Sequence, residues 1–224
     1  MIYIVPSRGR PHKVIELVAA WEETRTFANL LVAVDFDDPN VNDYRNALYD
    51  TPPWVRWMRV PTTGMNAALN YCVWTPVVRG HTIIGFMGDD HRPRTAGWDT
   101  KISASVDEGA LIVYANDLLQ GANLPTQVAL DARVIKTLGH MAPPALRHLY
   151  LDNYWKTLGE RTQRMSYLHD VVIEHVHPIA GKTNWDEGYE RVNAGGMYAH
   201  DKAVFDAYVA DGRMLLDIEK VRAI

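Results

Sequence analysis

The chain has 224 residues, of which 47% are hydrophobic and 22% charged, an ordinary globular composition that predicts one domain with room for an appendage. The formal net charge of -4 gives no overall attraction for nucleic acid, although a local basic patch is compatible with it. The single cysteine, Cys72, excludes an intramolecular disulfide framework. Because no signal peptide and no apolar run of membrane-spanning length are visible, the sequence predicts a cytoplasmic protein without a membrane partner.

The first predicted element is a short strand over residues 2 to 5, which a polar loop joins to an amphipathic helix. The loop contains Pro6, Ser7, Arg8 and Arg10. Guanidinium groups and free backbone amides in such a loop would suit a phosphate group. The alternative is a solvated surface loop.

Alternating strands and helices follow. Residues 30 to 34 and 55 to 60 are predicted strands, and residues 64 to 73 a helix. The first of these strands ends in an acidic run that includes Asp35 and Asp37. Strands that alternate with helices predict βαβ units and a mainly parallel sheet. No G-x-G-x-x-G run follows the first strand, which argues against dinucleotide binding.

A buried strand over residues 82 to 87 is followed at once by Gly88-Asp89-Asp90-His91. In open α/β sheets, ligands bind at this carboxyl edge. Adjacent carboxylates repel each other unless a cation or a donor lies beside them, and hard divalent cations that also bind diphosphate oxygens fit such a site. The alternative is an acidic turn after a strand.

The second half of the chain continues the alternation of helices and strands. The predicted helices cover residues 101–106, 132–138 and 149–159, the last ended by Gly159, and the predicted strands cover residues 110–115, 128–130, 165–168 and 171–173. His175 and His177 follow two positions apart, which puts them on one face of a strand. A histidine near an acidic site can complete the coordination of a metal, and the alternative is an exposed or structural pair.

The C-terminal part of the chain differs in character. Residues 179 to 196 form a polar, glycine-punctuated stretch with large aromatic side chains, which is typical of a lid, and a plain surface connection is the alternative. Residues 200 to 222 are predicted as one amphipathic helix that packs on the domain or on a partner.

In order and spacing, residues 1 to 178 resemble the GT-A type nucleotide-sugar glycosyltransferases, particularly the family-two-like set. The resemblance implies an α/β fold with a single Rossmann-like GT-A domain, in which helices flank a mainly parallel central sheet. It implies that residues 1–178 form the nucleotide-sugar-binding and catalytic domain and that residues 179–224 form a lid-like loop and a C-terminal helix packed on it. The implied nucleotide-sugar contacts are Pro6, Ser7, Arg8, Arg10, Asp35, Asp37, Gly64, Asn66 and Asp89.

The same resemblance implies a metal site and a catalytic base. Residues 88 to 91 stand where the family carries Asp-x-Asp, with a glycine in place of the first aspartate. Asp90 is thereby implied as a ligand of Mn²⁺ or Mg²⁺, with His175 or His177 as the C-terminal metal histidine. Asp152 stands about where the family places its acidic catalytic residue, and its alternative role is that of a helix cap.

The predicted function is metal-dependent transfer of a sugar from a nucleoside diphosphate sugar, specifically a uridine diphosphate sugar, to an acceptor hydroxyl. The pattern also resembles small glycosyltransferase-like proteins of tailed bacteriophages, which suggests a hydroxymethylated base in phage DNA as the acceptor. Two alternatives stay open. The absence of a glycine-rich, lysine-containing first loop argues against the first, a nucleotidyltransferase. The departure at Gly88 keeps open the second, a non-catalytic nucleotide-sugar or nucleic-acid binding module.

Overall fold

The computed structural model describes residues 1–193 and 195–224. Its strands are β1 (Ile2–Ser7), β2 (Asn29–Asp35), β3 (Val55–Val60), β4 (Ile83–Phe86), β5 (His91–Pro93), β6 (Ile112–Asn116), β7 (Val128–Asp131) and β8 (Met165–His175). Its helices are α1 (Pro11–Thr24), α2 (Val41–Ala47), α3 (Met65–Cys72), α4 (Pro76–Arg79), α5 (Trp98–Asp107), α6 (Ala132–Leu138), α7 (Leu151–Thr162), α8 (Glu187–Asn193), α9 (Gly195–Ala210) and α10 (Arg213–Arg222).

The strands form one eight-stranded sheet in the order β3-β2-β1-β4-β7-β6-β8-β5. Strands β3, β2, β1 and β4 run parallel, as do β6 and β8. Only β7 and β5 run against their neighbours, β7 between β4 and β6, and β5 at the edge beside β8. The mixed but mainly parallel α/β sheet confirms the predicted fold class, and it brings the carboxyl ends of β1, β2 and β4 to one edge.

The sheet is covered on both faces, so its strands are apolar on both sides. Along β1 the side chains alternate between two cores, with Ile2 and Ile4 in one and Tyr3 and Val5 in the other. The first core includes residues of α3, α6, α7 and α10, and the second is built around Trp21 of α1 and other aromatic residues. The resulting rigid scaffold fixes the loops that follow the strands.

Three of the predicted elements differ in extent, and α4, β5 and α8 have no counterpart in the sequence prediction, with α8 inside the stretch predicted as a lid-like loop. The helix predicted to end at Gly159 continues to Thr162, and the left-handed residue that ends it is Gln163; Gly159 instead packs against Met165, where a Cβ atom would lie 2.7 Å from the sulfur. The two strands predicted between residues 165 and 173 are one strand, β8. The tail predicted as one helix forms α9 and α10, and α10 packs against α6 and α7.

Within the described ranges, no helix combines the length and the apolar character that crossing a membrane would require.

Candidate active site

A cleft of about 890 Å³ opens at the carboxyl edge of β1, β2 and β4. The sequence-predicted site residues that line it are Pro6, Ser7, Arg8, Arg10, Asp35, Asp37, Gly64, Asp89, Asp90, Asp152, His175 and His177. They come from distant parts of the chain, and the sheet brings them together.

Asn66 is the one predicted site residue that the structure places outside the cleft lining. Its side chain is fully buried, and its Nδ2 atom donates to the carbonyl oxygens of Pro143 and Leu146 at 2.8 and 2.7 Å. Asn66 therefore anchors the segment between α6 and α7 instead of facing a ligand.

One end of the cleft is built around Asp35, the last residue of β2. The backbone N–H of Gly64 donates to its two carboxylate oxygens at 3.2 and 3.1 Å. Arg8 donates to Asp35 at 3.3 Å and also pairs with Asp37. Burial raises the pKa of Asp35, although Gly64 and Arg8 oppose the shift. This end offers a carboxylate and a guanidinium group, a set that can recognise the polar edge of a nucleoside.

The middle of the cleft combines a buried carboxylate with a guanidinium group whose hydrogen-bond donors are not all used among the described residues. Ser7 Oγ donates to Asp89 Oδ2 at 2.6 Å, and Arg10 Nε lies 3.5 Å from the same oxygen. The Nε and Nη1 atoms of Arg10 are buried and have no hydrogen-bond partner within the described residues. Buried donors without acceptors are costly, so Arg10 is poised for an anionic group.

Asp90, His91 and His175 form a compact cluster, in which one side-chain donor atom from each lies within 4.8 Å of the others. Asp90 Oδ1 lies 3.2 Å from His91 Nδ1, and Asp90 Oδ2 lies 3.4 Å from His175 Nε2. The imidazoles stack with centroids 4.2 Å apart, because His91 and His175 are register partners in the β5–β8 pair. A carboxylate and two imidazoles are a suitable donor set for a divalent transition metal.

The charges of this cluster are strongly coupled. Burial alone would raise the pKa of Asp90, but His175 and His91 hold it well below its usual range. Burial would likewise lower the pKa of His175, but Asp90 and Asp117 raise it to about 9. The ionised carboxylate of Asp90 thus stabilises positive charge on the groups beside it.

Two residues that were not among the predicted site residues, Asp117 and Thr126, lie next to the imidazoles. Thr126 Oγ1 donates to Asp117 Oδ2 at 2.7 Å and lies 3.4 Å from His91 Nε2, while Asp117 Oδ2 lies 3.9 Å from His175 Nδ1. Such outer partners orient metal-binding histidines. Asp117 was recognisable as an acidic strand end, whereas Thr126 carried no signal in the sequence.

Glycine occupies position 88, where the resembling family carries the first aspartate of Asp-x-Asp, and the structure gives a steric reason for it. A Cβ atom at this position would lie 2.5 Å from Asp90 Oδ1 and 2.9 Å from His91 Nδ1. Because real Cβ atoms do not approach that closely, a side chain at position 88 would displace the cluster. Glycine is therefore compatible with a metal site that uses His91.

The second predicted metal histidine occupies a different position. His177 lies beyond the end of β8, where its Nδ1 atom accepts from the N–H of Ile179 at 3.2 Å. Its ring lines the cleft at a centroid distance of 5.0 Å from the His175 ring. The compact donor group among the described residues contains His91 in its place.

Asp152 lies in the first turn of α7 and lines the cleft. Its Oδ1 atom accepts from the N–H of Asn153 at 2.9 Å, so it does interact with the start of its own helix. Burial raises the pKa of Asp152, and this effect exceeds the opposing influence of that hydrogen bond and of His175. A carboxylate with a raised pKa at a cleft wall suits a proton acceptor.

The segment from residue 179 to α8 passes directly over the cluster. Tyr189 donates from its hydroxyl group to Asp90 Oδ2 at 2.9 Å and accepts from Lys13 Nζ at 2.9 Å. Asp186 lies 3.3 Å from Lys13 and 3.8 Å from Arg10. Sequence reasoning missed Lys13, which lies in the amphipathic helix α1, and gave Tyr189 no specific role.

No protein-family model matches the sequence, and no curated protein matches it either. Several solved structures are nevertheless similar in fold. TarS 1-349 of S. aureus has a TM-score of 0.59 at 13% identity, over 77% of this chain and 58% of that one. The mannosyltransferase PcManGT from Pyrobaculum calidifontis, in complex with GDP-Man and Mn²⁺, has a TM-score of 0.59 at 15% identity, over 85% of this chain and 58% of that one. 

A third similar structure is glucosyl-3-phosphoglycerate synthase from Mycobacterium tuberculosis, in complex with Mn²⁺, UDP and phosphoglyceric acid. Its TM-score is 0.59 at 11% identity, over 91% of this chain and 76% of that one. The present chain therefore spans 58% of the length of the first two proteins. At these identities the similarity establishes the fold, a single Rossmann-like GT-A domain, as the sequence resemblance predicted.

Proposed function

We propose that this protein is a metal-dependent glycosyltransferase, which moves a sugar from a nucleoside diphosphate sugar to an acceptor hydroxyl. The observation that carries the proposal is the Asp90–His91–His175 cluster at the carboxyl edge of a GT-A sheet, beside two nitrogen atoms of Arg10 that have no hydrogen-bond partner among the described residues. A cation site next to an anion-binding guanidinium group is what a metal–diphosphate complex needs. The complexes of similar structures with GDP-Man and Mn²⁺ and with UDP and Mn²⁺ support it.

The proposed metal is Mn²⁺ in preference to Mg²⁺, because two imidazole donors suit a transition metal better than a cation that prefers oxygen ligands. Asp90, His91 and His175 would hold it, and His177 is the alternative histidine. When bound, the ion would act as a Lewis acid that stabilises negative charge on the leaving diphosphate.

The proposed donor is a uridine diphosphate sugar. Asp35, Arg8 and Asp37 would contact the nucleoside, with Gly64 keeping Asp35 in place. Ser7 and Asp89, with the adjacent Pro6, would contact the ribose, and Arg10 would contact the diphosphate. For the donor, the proposal departs from the sequence prediction at two residues: Arg8, predicted to contact phosphate, is assigned to the nucleoside because it pairs with Asp35 and Asp37, and Asn66 supports the cleft from outside.

In the transfer step, Asp152 would accept the proton of the acceptor hydroxyl group. The acceptor oxygen attacks the anomeric carbon of the sugar, and the bond from that carbon to the diphosphate oxygen breaks. The nucleoside diphosphate leaves with the bonding electron pair, and Arg10 compensates its charge. Residues 1–178 provide these groups, and we propose that residues 179–224 close and support the cleft.

A donor assay tests the proposal. We expect release of nucleoside diphosphate when the protein is incubated with UDP-sugars and Mn²⁺, and none when the metal is chelated. GDP-sugars form the comparison arm, and DNA with hydroxymethylated bases is one acceptor to include. Release of pyrophosphate would instead indicate a nucleotidyltransferase. Donor binding detected by thermal shift without any turnover would indicate a binding module.

The two arginines of the first loop are expected to behave differently. Arg10→Gln should weaken binding of UDP by about 10- to 100-fold while leaving uridine binding nearly unchanged, because it removes a charged hydrogen-bond donor from the diphosphate position. Arg8→Gln, the matched control, should weaken UDP and uridine alike, because Arg8 pairs with Asp35 and Asp37. Calorimetric titration with both ligands measures the difference. Equal losses of UDP and uridine binding in Arg10→Gln would contradict the assignment.

A further inference from the structure

The wall of the cleft next to Asp152 is formed by the segment between α6 and α7, and the C-terminal helix α9 holds that segment. Asp201 of α9 is fully buried. Its Oδ1 atom accepts from the N–H of Arg147 at 3.0 Å, and its Oδ2 atom accepts from the N–H groups of His148 and Leu149 at 2.9 and 2.7 Å. One carboxylate therefore fixes three consecutive backbone amides, each belonging to a residue that lines the cleft.

The same segment is held from its other side. Asn66 of α3 donates to the carbonyl oxygens of Pro143 and Leu146, and its own N–H donates to the carbonyl oxygen of Arg147 at 3.2 Å. The peptide groups of the segment are thus clamped between a carboxylate of α9 and an amide of α3. Buried hydrogen bonds of this kind rigidify the backbone that they satisfy.

The segment ends at Tyr150, which lies immediately before α7. Tyr150 has a φ of +66°, a left-handed conformation that is unfavourable for a residue other than glycine and persists only when its surroundings enforce it. Its ring packs on Phe205 and Tyr198, both in α9, at centroid distances of 5.5 and 5.7 Å. The direction in which α7 begins is therefore determined by contacts with α9.

We propose that Asp201 is a positioning residue for the transfer reaction, which acts through residues 147–150 to place the carboxylate of Asp152. Asp152 follows Tyr150 by two residues, so a shift of the segment moves it directly. A general base must lie within hydrogen-bond reach of the proton that it accepts, and small displacements of such a group reduce the rate strongly. This inference rests on the proposed function, and it makes α9 part of the catalytic apparatus although α9 lies outside residues 1–178.

The chain contains a matched control for this idea. Asp99 of α5 is also fully buried, and its carboxylate accepts from the N–H groups of three consecutive residues, Thr26, Phe27 and Ala28. That loop leads into the amino end of β2, at the opposite edge of the sheet from the cleft. Asp99→Asn and Asp201→Asn thus remove the same kind of anchor from two different places.

The experiment compares the two variants with the parent protein. We expect both to lower the melting temperature to a similar extent, since each leaves backbone amides unsatisfied. Asp201→Asn alone should lower kcat by about 10- to 100-fold, with the KM for the donor and the affinities for Mn²⁺ and UDP unchanged. Equal kcat losses in both variants, or no kcat loss in Asp201→Asn, would refute a positioning role. Should Asp201→Asn fail to fold, Asp201→Glu keeps the charge but moves the carboxylate by one methylene group, so amide exchange over residues 147–152 should accelerate and kcat should fall; accelerated exchange with a parental kcat would refute the positioning role.

Hydrogen exchange separates this inference from the proposed function. Asp201→Asn should accelerate amide exchange over residues 147–152 without changing exchange at residues 88–91. Unchanged exchange over residues 147–152 would refute the positioning role whether or not the parent protein transfers sugar. Accelerated exchange together with a parent protein that transfers no sugar would support the anchoring by Asp201 and refute the proposed function.

Discussion

Replacing Asp90 by asparagine should reduce the affinity for Mn²⁺ by more than about 100-fold and remove metal-dependent turnover. Loss of a group that only orients a metal ligand typically costs 10- to 100-fold in affinity, so loss of the single carboxylate of the cluster should cost more. Asparagine preserves the shape of the side chain, and we therefore expect the fold to be retained. Titration with Mn²⁺, followed by electron paramagnetic resonance, measures the affinity directly.

Asp131→Asn provides the control for this result. Asp131 is likewise a buried aspartate at the end of a strand, but it caps α6, and asparagine caps helices about as well. Metal binding by this variant should equal that of the parent protein. If Asp90→Asn bound Mn²⁺ as tightly as Asp131→Asn does, the cluster would not be a metal site.

Asp152→Asn should lower kcat by about 10²- to 10⁴-fold, the range expected when a general base is lost. Binding of Mn²⁺ and UDP should be unaffected, because Asp152 is neither a member of the Asp90–His91–His175 donor group nor one of the residues proposed to contact the nucleotide. Steady-state kinetics at saturating donor and metal, together with calorimetric titration of UDP, measure the two effects separately.

The pH dependence of kcat is a second test of Asp152 as the general base. A general base must be ionised, so kcat at saturating metal and donor should rise with pH through the pKa of Asp152. Burial raises that pKa, which places the rise at a higher pH than for an exposed aspartate. Asp152→Asn should lose this rise. A variant with near-parental kcat and the same pH profile would leave Asp152 as a helix-cap residue only.

The strand-end residues were predictable because their signal is local. An apolar run that is followed abruptly by Asp89 and Asp90 places these two carboxylates at the carboxyl edge of the sheet. The alternation of strands and helices then predicts which strand ends lie next to each other. Asp35 follows the same logic. The parallel part of the sheet and the carboxylates of the cleft were therefore accessible from the sequence.

The contribution of His91 was not predictable by such reasoning. It becomes a neighbour of His175 because the short strand β5 pairs antiparallel with β8, and no local pattern specifies the register of two strands so distant in sequence. Asn66 is the opposite case, a residue that was predicted to contact the ligand but does not line the cleft. Its helix was predicted, but its side chain meets the segment between α6 and α7, whose course depends on the packing of α9. Lys13 and Tyr189 likewise meet only in the folded chain.

The pairing of β5 with β8 also affects how the chain holds together. His91 and His175 enclose the stretch that contains α5, β6, β7, α6 and α7, so an ion shared by their imidazoles would close a large loop by a non-covalent cross-link. An ion that binds only the native state stabilises that state by mass action, and its removal would free the two ends of this stretch. Tolerance to heat and reactivity toward the donor would then depend on the same side chains, and selection for one property would act on the other.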